Sequence, residues 1–133
     1  MKTLKIAVIA LCATFLLAAC GGGTPESVAK SYVDAALSFD FEKAAKYSSK
    51  EHAADIMRGM EDYSKEDLKK EVEEARKEFK GITYKVTGVE LDEDEATVEF
   101  EFAKDDKTKD GRLELIKEDG KWKVDDERLR LYF

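Results

Sequence analysis

The sequence contains few of the residues from which metal centres and disulfide frameworks are built. Among its 133 residues are two cysteines and a single histidine, His52. One histidine makes neither a metal site nor, without a partner that the sequence identifies, a catalytic dyad, so we interpret His52 as a surface residue. Cys12 belongs to an N-terminal segment that we expect to be removed, and Cys20 has another predicted use, so we expect no disulfide bond. We likewise expect no metal ion and no cofactor.

The sequence also has fewer basic than acidic residues. The chain has 23 lysines and arginines against 30 aspartates and glutamates, which gives a formal net charge of −7 at pH 7. A surface of this sign repels the phosphates of nucleic acids and the head groups of anionic lipids. We therefore exclude nucleic acid as a partner, and we expect contact with a membrane only through an attached anchor.

The chain also lacks a hydrophobic run of the length, about 20 residues, that a transmembrane helix needs. Instead, two N-terminal lysines precede an apolar segment, residues 6–17, and small residues follow it. This order is typical of an export signal that is later removed. The residues Leu17-Ala18-Ala19-Cys20 resemble the lipobox of bacterial lipoproteins. The resemblance implies that the thiol of Cys20 carries a diacylglyceryl group and that the chain is cut before this residue.

The predicted organisation follows from this cleavage site. Residues 1–19 are a lipoprotein signal peptide, residues 20–23 are the lipidated cysteine and a glycine tether, and residues 24–133 form one domain. Loss of two lysines with the signal takes the formal net charge from −7 to −9. Two or more acyl chains hold a protein firmly on a bilayer, at about 0.8 kcal/mol per buried CH₂. We predict an exported protein that lipid anchors to the cell envelope. Gly21, in place of an aspartate retention signal, favours the outer membrane where the cell has one.

Capping residues divide the first half of the domain into helices. Each helix start has a hydroxyl or carboxyl side chain that can accept a hydrogen bond from the first turn. The predicted helices run from Pro25 to about residue 38, from Asp40, from Ser49, and from Ser64 to about residue 80. Gly81 ends the last of them.

After Gly81 the apolar period changes from helical to two, which is typical of strands with one face on a core. We predict strands over residues 82–91, with a bulge at Gly88, and over residues 96–102. Third and fourth strands begin at Leu113 and Trp122. The alternation of residues 129–133 is also compatible with a fifth strand.

Two polar segments between the strands are turns in this interpretation. Asp119-Gly120 is a strong signal for a two-residue hairpin turn. The turn pairs Leu115 with Val124, Lys117 with Trp122, and Glu114 with Asp125. Residues 106–111 have oxygen ligands at a spacing found in calcium loops, but a lysine stands at position 117, where the closing acid belongs. We interpret residues 106–111 as a polar hairpin loop.

Helices followed by antiparallel strands predict an α+β domain, in which N-terminal helices pack on a bent antiparallel sheet of four to five strands. The runs YVDAALSFDFEKAAKYSS, residues 32–49, and LIKEDGKWKVDD, residues 115–126, resemble the helical opening and the closing hairpin of nuclear transport factor 2-like domains. These cystatin-like domains form a cone. More narrowly, the sequence resembles bacterial lipoproteins of this fold whose domain has no known function.

Some proteins of the wider fold, such as ketosteroid isomerase and scytalone dehydratase, are enzymes that place aspartate, tyrosine or histidine between sheet and helices. The inward strand positions predicted here carry no carboxylate and no histidine. They are Ile82, Tyr84, Val86, Val98, Phe100, Phe102, Leu113, Leu115, Trp122 and Val124. Because a general base must reach a substrate inside the cavity, we expect no catalytic residue and no enzymatic activity. Isomerase or dehydratase chemistry is the alternative that the resemblance leaves open.

Aromatic residues are the candidates for a binding site. The possible pocket lining is Tyr32, Tyr47, Tyr84, Phe100, Phe102 and Trp122. Either these side chains fill the core, or they leave a pocket in which tyrosine hydroxyls anchor a small apolar ligand. A filled core favours an envelope protein as partner, or a homodimer through the sheet. We predict a non-catalytic binding or interaction domain, with a small-molecule carrier or sensor as the alternative.

Overall fold

The computed structural model describes residues 23–133, so the predicted export signal and Cys20 lie outside the described residues. The chain begins with four helices, α1 (Pro25–Leu37), α2 (Phe41–Lys46), α3 (Lys50–Glu61) and α4 (Lys65–Phe79). The four predicted N-cap residues, Thr24, Asp40, Ser49 and Ser64, each accept a backbone N–H bond from the first turn. The predicted helices are therefore confirmed. None of the helices within residues 23–133 is long and apolar enough to cross a membrane.

Four strands follow, β1 (Thr83–Asp92), β2 (Glu95–Lys104), β3 (Lys107–Glu118) and β4 (Lys121–Arg128). They form one antiparallel sheet in the order β1-β2-β3-β4. The predicted bulge at Gly88 is confirmed, because the register of β1 shifts between Val86 and Gly88. The last hairpin pairs Leu115 with Val124 and Lys117 with Trp122, also as predicted. The architecture is therefore α+β.

The polar segment before Leu113 differs from the prediction. Strand β3 begins at Lys107, so residues 107–111 pair with β2 and do not form a loop. The turn is confined to Asp105 and Asp106, where Asp105 has a φ of 57°. Polar residues enter this strand because β2 already offers a row of backbone hydrogen bonds, which outweighs weak local propensity.

A second difference lies in β4. Leu115 pairs with Val124 but Glu114 pairs with Asp126, so Asp125 is an extra residue in a bulge and the predicted pairing of Glu114 with Asp125 is wrong. Beyond the bulge, Glu127 pairs with the fully buried Leu113 and shares its face of the sheet. The expectation that the inward strand positions carry no carboxylate is therefore wrong. A bulge changes the parity of a strand, and counting alternate residues does not detect it.

The core lies between α1 and one face of the sheet. Its largest fully buried side chains are Phe100, Phe102, Leu113 and Leu115, with Val33 of α1 packed among them. Residues 129–133 form no strand, so the optional fifth strand is absent there, but Leu131 is buried against this core. Helix α4 contributes one buried residue, Phe79. The helical layer is thus tightly packed at α1 and open toward α4.

Candidate functional site

A cavity of about 490 Å³ lies between α1, α3, α4 and the segment that follows β4. Most of its wall is apolar. The principal apolar side chains in the wall are Ala36, Phe39, Ile56, Val72, Phe79 and Leu131. The cavity therefore occupies the open side of the helical layer, on the surface of the core and not inside it.

Small residues leave this space unfilled. Ala35 and Ala36 of α1, Gly59 of α3 and Ala75 of α4 all face the cavity, where larger apolar side chains would close the gap. The apolar stripe of α4 covers the opposite side through Leu68 and its neighbours one and two turns further on. Helix α4 thus places a row of apolar side chains opposite Ala35 and Ala36, which form an alanine floor and leave the cavity open.

One part of the cavity wall is polar, because Tyr32 and Glu127 line it together. Tyr32 also contacts His52, which does not line the cavity. The hydroxyl of Tyr32, whose side chain is 2% exposed, donates to Oε2 of Glu127 at 2.5 Å. The same oxygen lies 2.9 Å from Nε2 of His52. Because the single phenolic proton goes to Glu127, Nε2 of His52 is the donor in the second bond.

Two structural features bring these three residues together. The bulge at Asp125 turns Glu127 toward the helices. The hydroxyl of Ser49, which caps α3, donates to Asp125 at 2.8 Å and fixes the start of that helix beside β4. His52 lies in the first turn of α3 and is half-buried, so its interpretation as a surface residue without a partner is wrong. No local sequence signal identifies this trio, because its members are separated by 20 and 95 positions along the chain from Tyr32.

Burial, followed by the charge of Glu127 and their hydrogen bond, raises the pKa of Tyr32 far above its usual range. Tyr32 is therefore a neutral hydrogen-bond donor at physiological pH. Glu127 retains acceptor positions beyond the one that Tyr32 occupies. Chemically, this part of the cavity wall can hold a polar or positively charged group of a ligand, or accept a proton from it.

The six aromatic residues predicted to line a pocket are separated by the structure. Of the six, Tyr32 alone lines this cavity. Phe100 and Phe102 are core residues, with stacked rings 5.8 Å apart, and Trp122 is buried as well. The structure therefore places Phe100, Phe102 and Trp122 in a filled core, which is the alternative to a pocket lining for these aromatic residues.

Tyr47 and Tyr84 stand apart from both groups. The carbonyl of Tyr47 accepts a backbone bond from Val124 at 2.8 Å, which ties the segment after α2 to β4. The hydroxyl of Tyr84 donates to Oδ1 of Asp34 at 2.6 Å on the far side of α1. Both are half-buried residues that connect the helices to the sheet. Within residues 23–133 no group of three or more acidic, histidine or cysteine side chains is arranged to hold a metal ion.

Substitution of Tyr32 by phenylalanine is expected to change how stability depends on alkaline pH. In the unfolded chain a tyrosine ionises near pH 10.0, whereas folded Tyr32 keeps its proton above that pH. Ionisation of Tyr32 in the unfolded chain therefore lowers the free energy of unfolding by about 1.4 kcal/mol per pH unit above pH 10. Below pH 10 Tyr32 is neutral in both states, so it contributes no pH dependence there. Urea unfolding at pH 10 and pH 11 should show a shallower loss in Tyr32→Phe than in the wild type. Tyr63→Phe, at a 50% exposed position, is the control and should behave as wild type. Equal slopes in all three proteins would contradict the assignment.

Comparison with known proteins identifies a family. The family model described as the low molecular weight antigen MTB12, C-terminal domain, matches residues 29–130. The matched range contains Tyr32, His52 and Glu127, together with the whole sheet. No curated protein sequence matches this chain.

Two solved structures are similar to the fold. One is a Campylobacter jejuni protein described as a nuclear transport factor 2-like transpeptidase, with 17% identity and a TM-score of 0.51 over 77% of this chain and 98% of that one. The other is a SEC-C motif containing protein from Rhodopseudomonas palustris, with 18% identity and a TM-score of 0.52 over 90% of this chain and 89% of that one. At these identities the likeness concerns the fold alone. It confirms the predicted nuclear transport factor 2-like architecture.

Proposed function

The chain belongs to the family of the low molecular weight antigen MTB12 C-terminal domain, and from this premise we propose that its domain binds a small apolar molecule in the cavity beside α4. The observation that carries the proposal is a largely apolar cavity of about 490 Å³ with a few polar side chains in its wall. Small-molecule sites are typically clefts of about 300–1,000 Å³ in which a few polar groups orient the ligand. Tyr32 and Glu127, which both line the cavity, are the groups that would do so here.

We further propose that this binding domain works at the surface of a membrane. The support is the lipobox-like Leu17-Ala18-Ala19-Cys20, which lies outside the described residues. A lipid on Cys20 would leave only Gly21, Gly22 and Gly23 before the domain. A three-residue glycine tether reaches about 10 Å, so the domain would stay close to the lipid. The function would be that of an envelope carrier or sensor of an apolar compound.

A blocked cavity tests the binding proposal. Ala75 lines the cavity from α4, so the ring in Ala75→Phe should occupy the space of a ligand. Ala54 is exposed on α3 and does not line the cavity, which makes Ala54→Phe the matched control. After gentle purification from a bacterial host, native mass spectrometry should show an added small mass on the wild type and on Ala54→Phe. Ala75→Phe should show at least a tenfold lower occupancy, because steric overlap removes the site.

The same spectra distinguish the other predicted roles. Equal occupancy in Ala75→Phe would contradict the cavity as the site. A bare single-chain mass in the wild type would favour a protein partner. A doubled mass would support the homodimer through the sheet.

Acid–base catalysis on the bound molecule is a second candidate, which the hydrogen-bonded Tyr32 and Glu127 favour. Conversion of the recovered compound by the wild type, and its survival with Glu127→Gln, would support this role. An unchanged compound in both cases would contradict it.

A further inference from the structure

The charges around the cavity all have one sign. Its wall contains the carboxylates of Asp40, Asp55, Glu71 and Glu127, and among the described residues it contains no lysine and no arginine. The whole chain has 23 lysines and arginines, so their absence from the described wall is a local feature of the cavity. A bound molecule would therefore meet an apolar wall surrounded by negative charge.

Two of these carboxylates already have partners. Asp55 forms an ion pair with Arg58 at 2.8 Å. Asp40 caps α2 and accepts the backbone N–H of Lys43 at 3.1 Å. Neither is expected to add much attraction for a ligand.

The other two carboxylates have no cationic partner among residues 23–133. Glu127 accepts a hydrogen bond from Tyr32, but a neutral phenol leaves the negative charge in place. His52 is the other titratable group in this contact, and it donates through Nε2 to Tyr32 and not to Glu127. Glu71 faces the cavity from α4. Both carboxylates are exposed, so solvent screens them in part, but they favour a cation over an anion in the cavity that they line.

We infer that the ligand of this cavity is an apolar molecule with a protonated amine, whose hydrocarbon body lies on the alanine floor and whose ammonium group lies toward Glu127 and Glu71. The inference rests on the proposed function. The wall also contains the aromatic side chains of Phe39, Phe41, Tyr63 and Tyr132, and an aromatic ring attracts a cation that lies over its face. An anionic ligand of equal size would meet repulsion from both uncompensated carboxylates.

Three probes with one ring system and different charges test the inference. They are 1-naphthylmethylamine, 1-naphthylmethanol and 1-naphthoic acid, which at pH 7 are a cation, a neutral molecule and an anion. The full chain, as a bacterial host processes it, is placed in nanodiscs of zwitterionic lipid, and empty nanodiscs correct for partition into lipid. Isothermal titration calorimetry should give an affinity for the amine about tenfold above that for the alcohol, with the acid weaker still.

Charge variants identify the source of the preference. In the double variant Glu71→Gln and Glu127→Gln, the ratio of amine to alcohol affinity should fall to about one. Both positions are exposed, so the domain is expected to stay folded, and far-ultraviolet circular dichroism checks this. Glu73→Gln is the matched control, because Glu73 lies on α4 outside the cavity wall and should keep the tenfold preference.

The outcomes separate this inference from the proposed function. Equal affinity for the three probes, abolished by Ala75→Phe, would overturn the amine preference and support the cavity as a binding site. A preference for the acid, or a preference unchanged in the double variant, would also overturn the inference. Failure of all three probes to bind, or binding that Ala75→Phe does not affect, would overturn both proposals.

Discussion

Substitution of Phe102 by alanine is expected to lower the free energy of unfolding of the domain by about 3–5 kcal/mol. Phe102 is fully buried, and its ring contacts the rings of Phe100 and Tyr84. Packing around it is close, since a Cβ placed at Gly111 would come within 2.8 Å of its Cε2 atom. Loss of the ring removes apolar burial and leaves a void that the neighbouring strands cannot fill.

Urea unfolding followed by circular dichroism measures this loss. Tyr63→Ala is the control, because Tyr63 is 50% exposed, and it should cost no more than about 0.5 kcal/mol. Small domains are stable by about 5–15 kcal/mol, so a loss of about 5 kcal/mol is enough to unfold a domain at the lower end of that range. Phe102→Leu keeps most of the volume and should cost less than half as much. Similar values for Phe102→Ala and Tyr63→Ala would contradict the assignment of Phe102 to the core.

Replacement of Cys20 by serine is expected to abolish acylation of the chain and to release it from the membrane fraction. The reason is chemical, because the lipid would be attached through the thiol, and a serine hydroxyl is a far weaker nucleophile at neutral pH. Without acyl chains, a domain of strongly negative charge is repelled by anionic head groups, so we expect it to leave the bilayer. Phase partition in detergent and the mass of the purified chain report the two effects in a host that processes lipoproteins.

Cys12→Ser is the matched control for this experiment. It removes the other cysteine of the chain from within the predicted signal and should leave the acyl mass and the membrane fraction unchanged. Retention of the acyl mass in Cys20→Ser, or its loss in Cys12→Ser, would contradict the predicted lipidation. The result does not depend on the cavity, so it tests the anchor independently of the ligand.

Local signals were sufficient to predict most of the backbone. The N-caps at Thr24, Asp40, Ser49 and Ser64 mark helix starts through side chains that bond their own first turn, which is an interaction within four residues. The hairpin at Asp119-Gly120 has the same local character. The error in residues 107–111 has the opposite cause, because that strand forms on the edge of β2 and its own residues are polar.

The candidate site was not predictable in the same way. Alternation along β4 gives no indication that Asp125 bulges out, and one extra residue decides whether Asp126 or Glu127 faces the helices. His52 looked isolated because its partner, Tyr32, is 20 positions away on another helix. The cavity depends on small residues from three helices, none of which is unusual in its own segment.

The amino-acid sequence by itself determined the helix and strand order, the apolar face of each element and the acidic composition, and it predicts a lipid anchor at Cys20. All of these follow from neighbours in the chain or from composition, so they can be evaluated without a fold. Only the tertiary structure decided that Tyr32, His52 and Glu127 meet, and that a cavity with carboxylates and no lysine or arginine in its described wall remains open beside α4. Those features depend on the bulge at Asp125 and on the separation between α4 and the alanines of α1. Both result from packing between segments that are distant in the sequence.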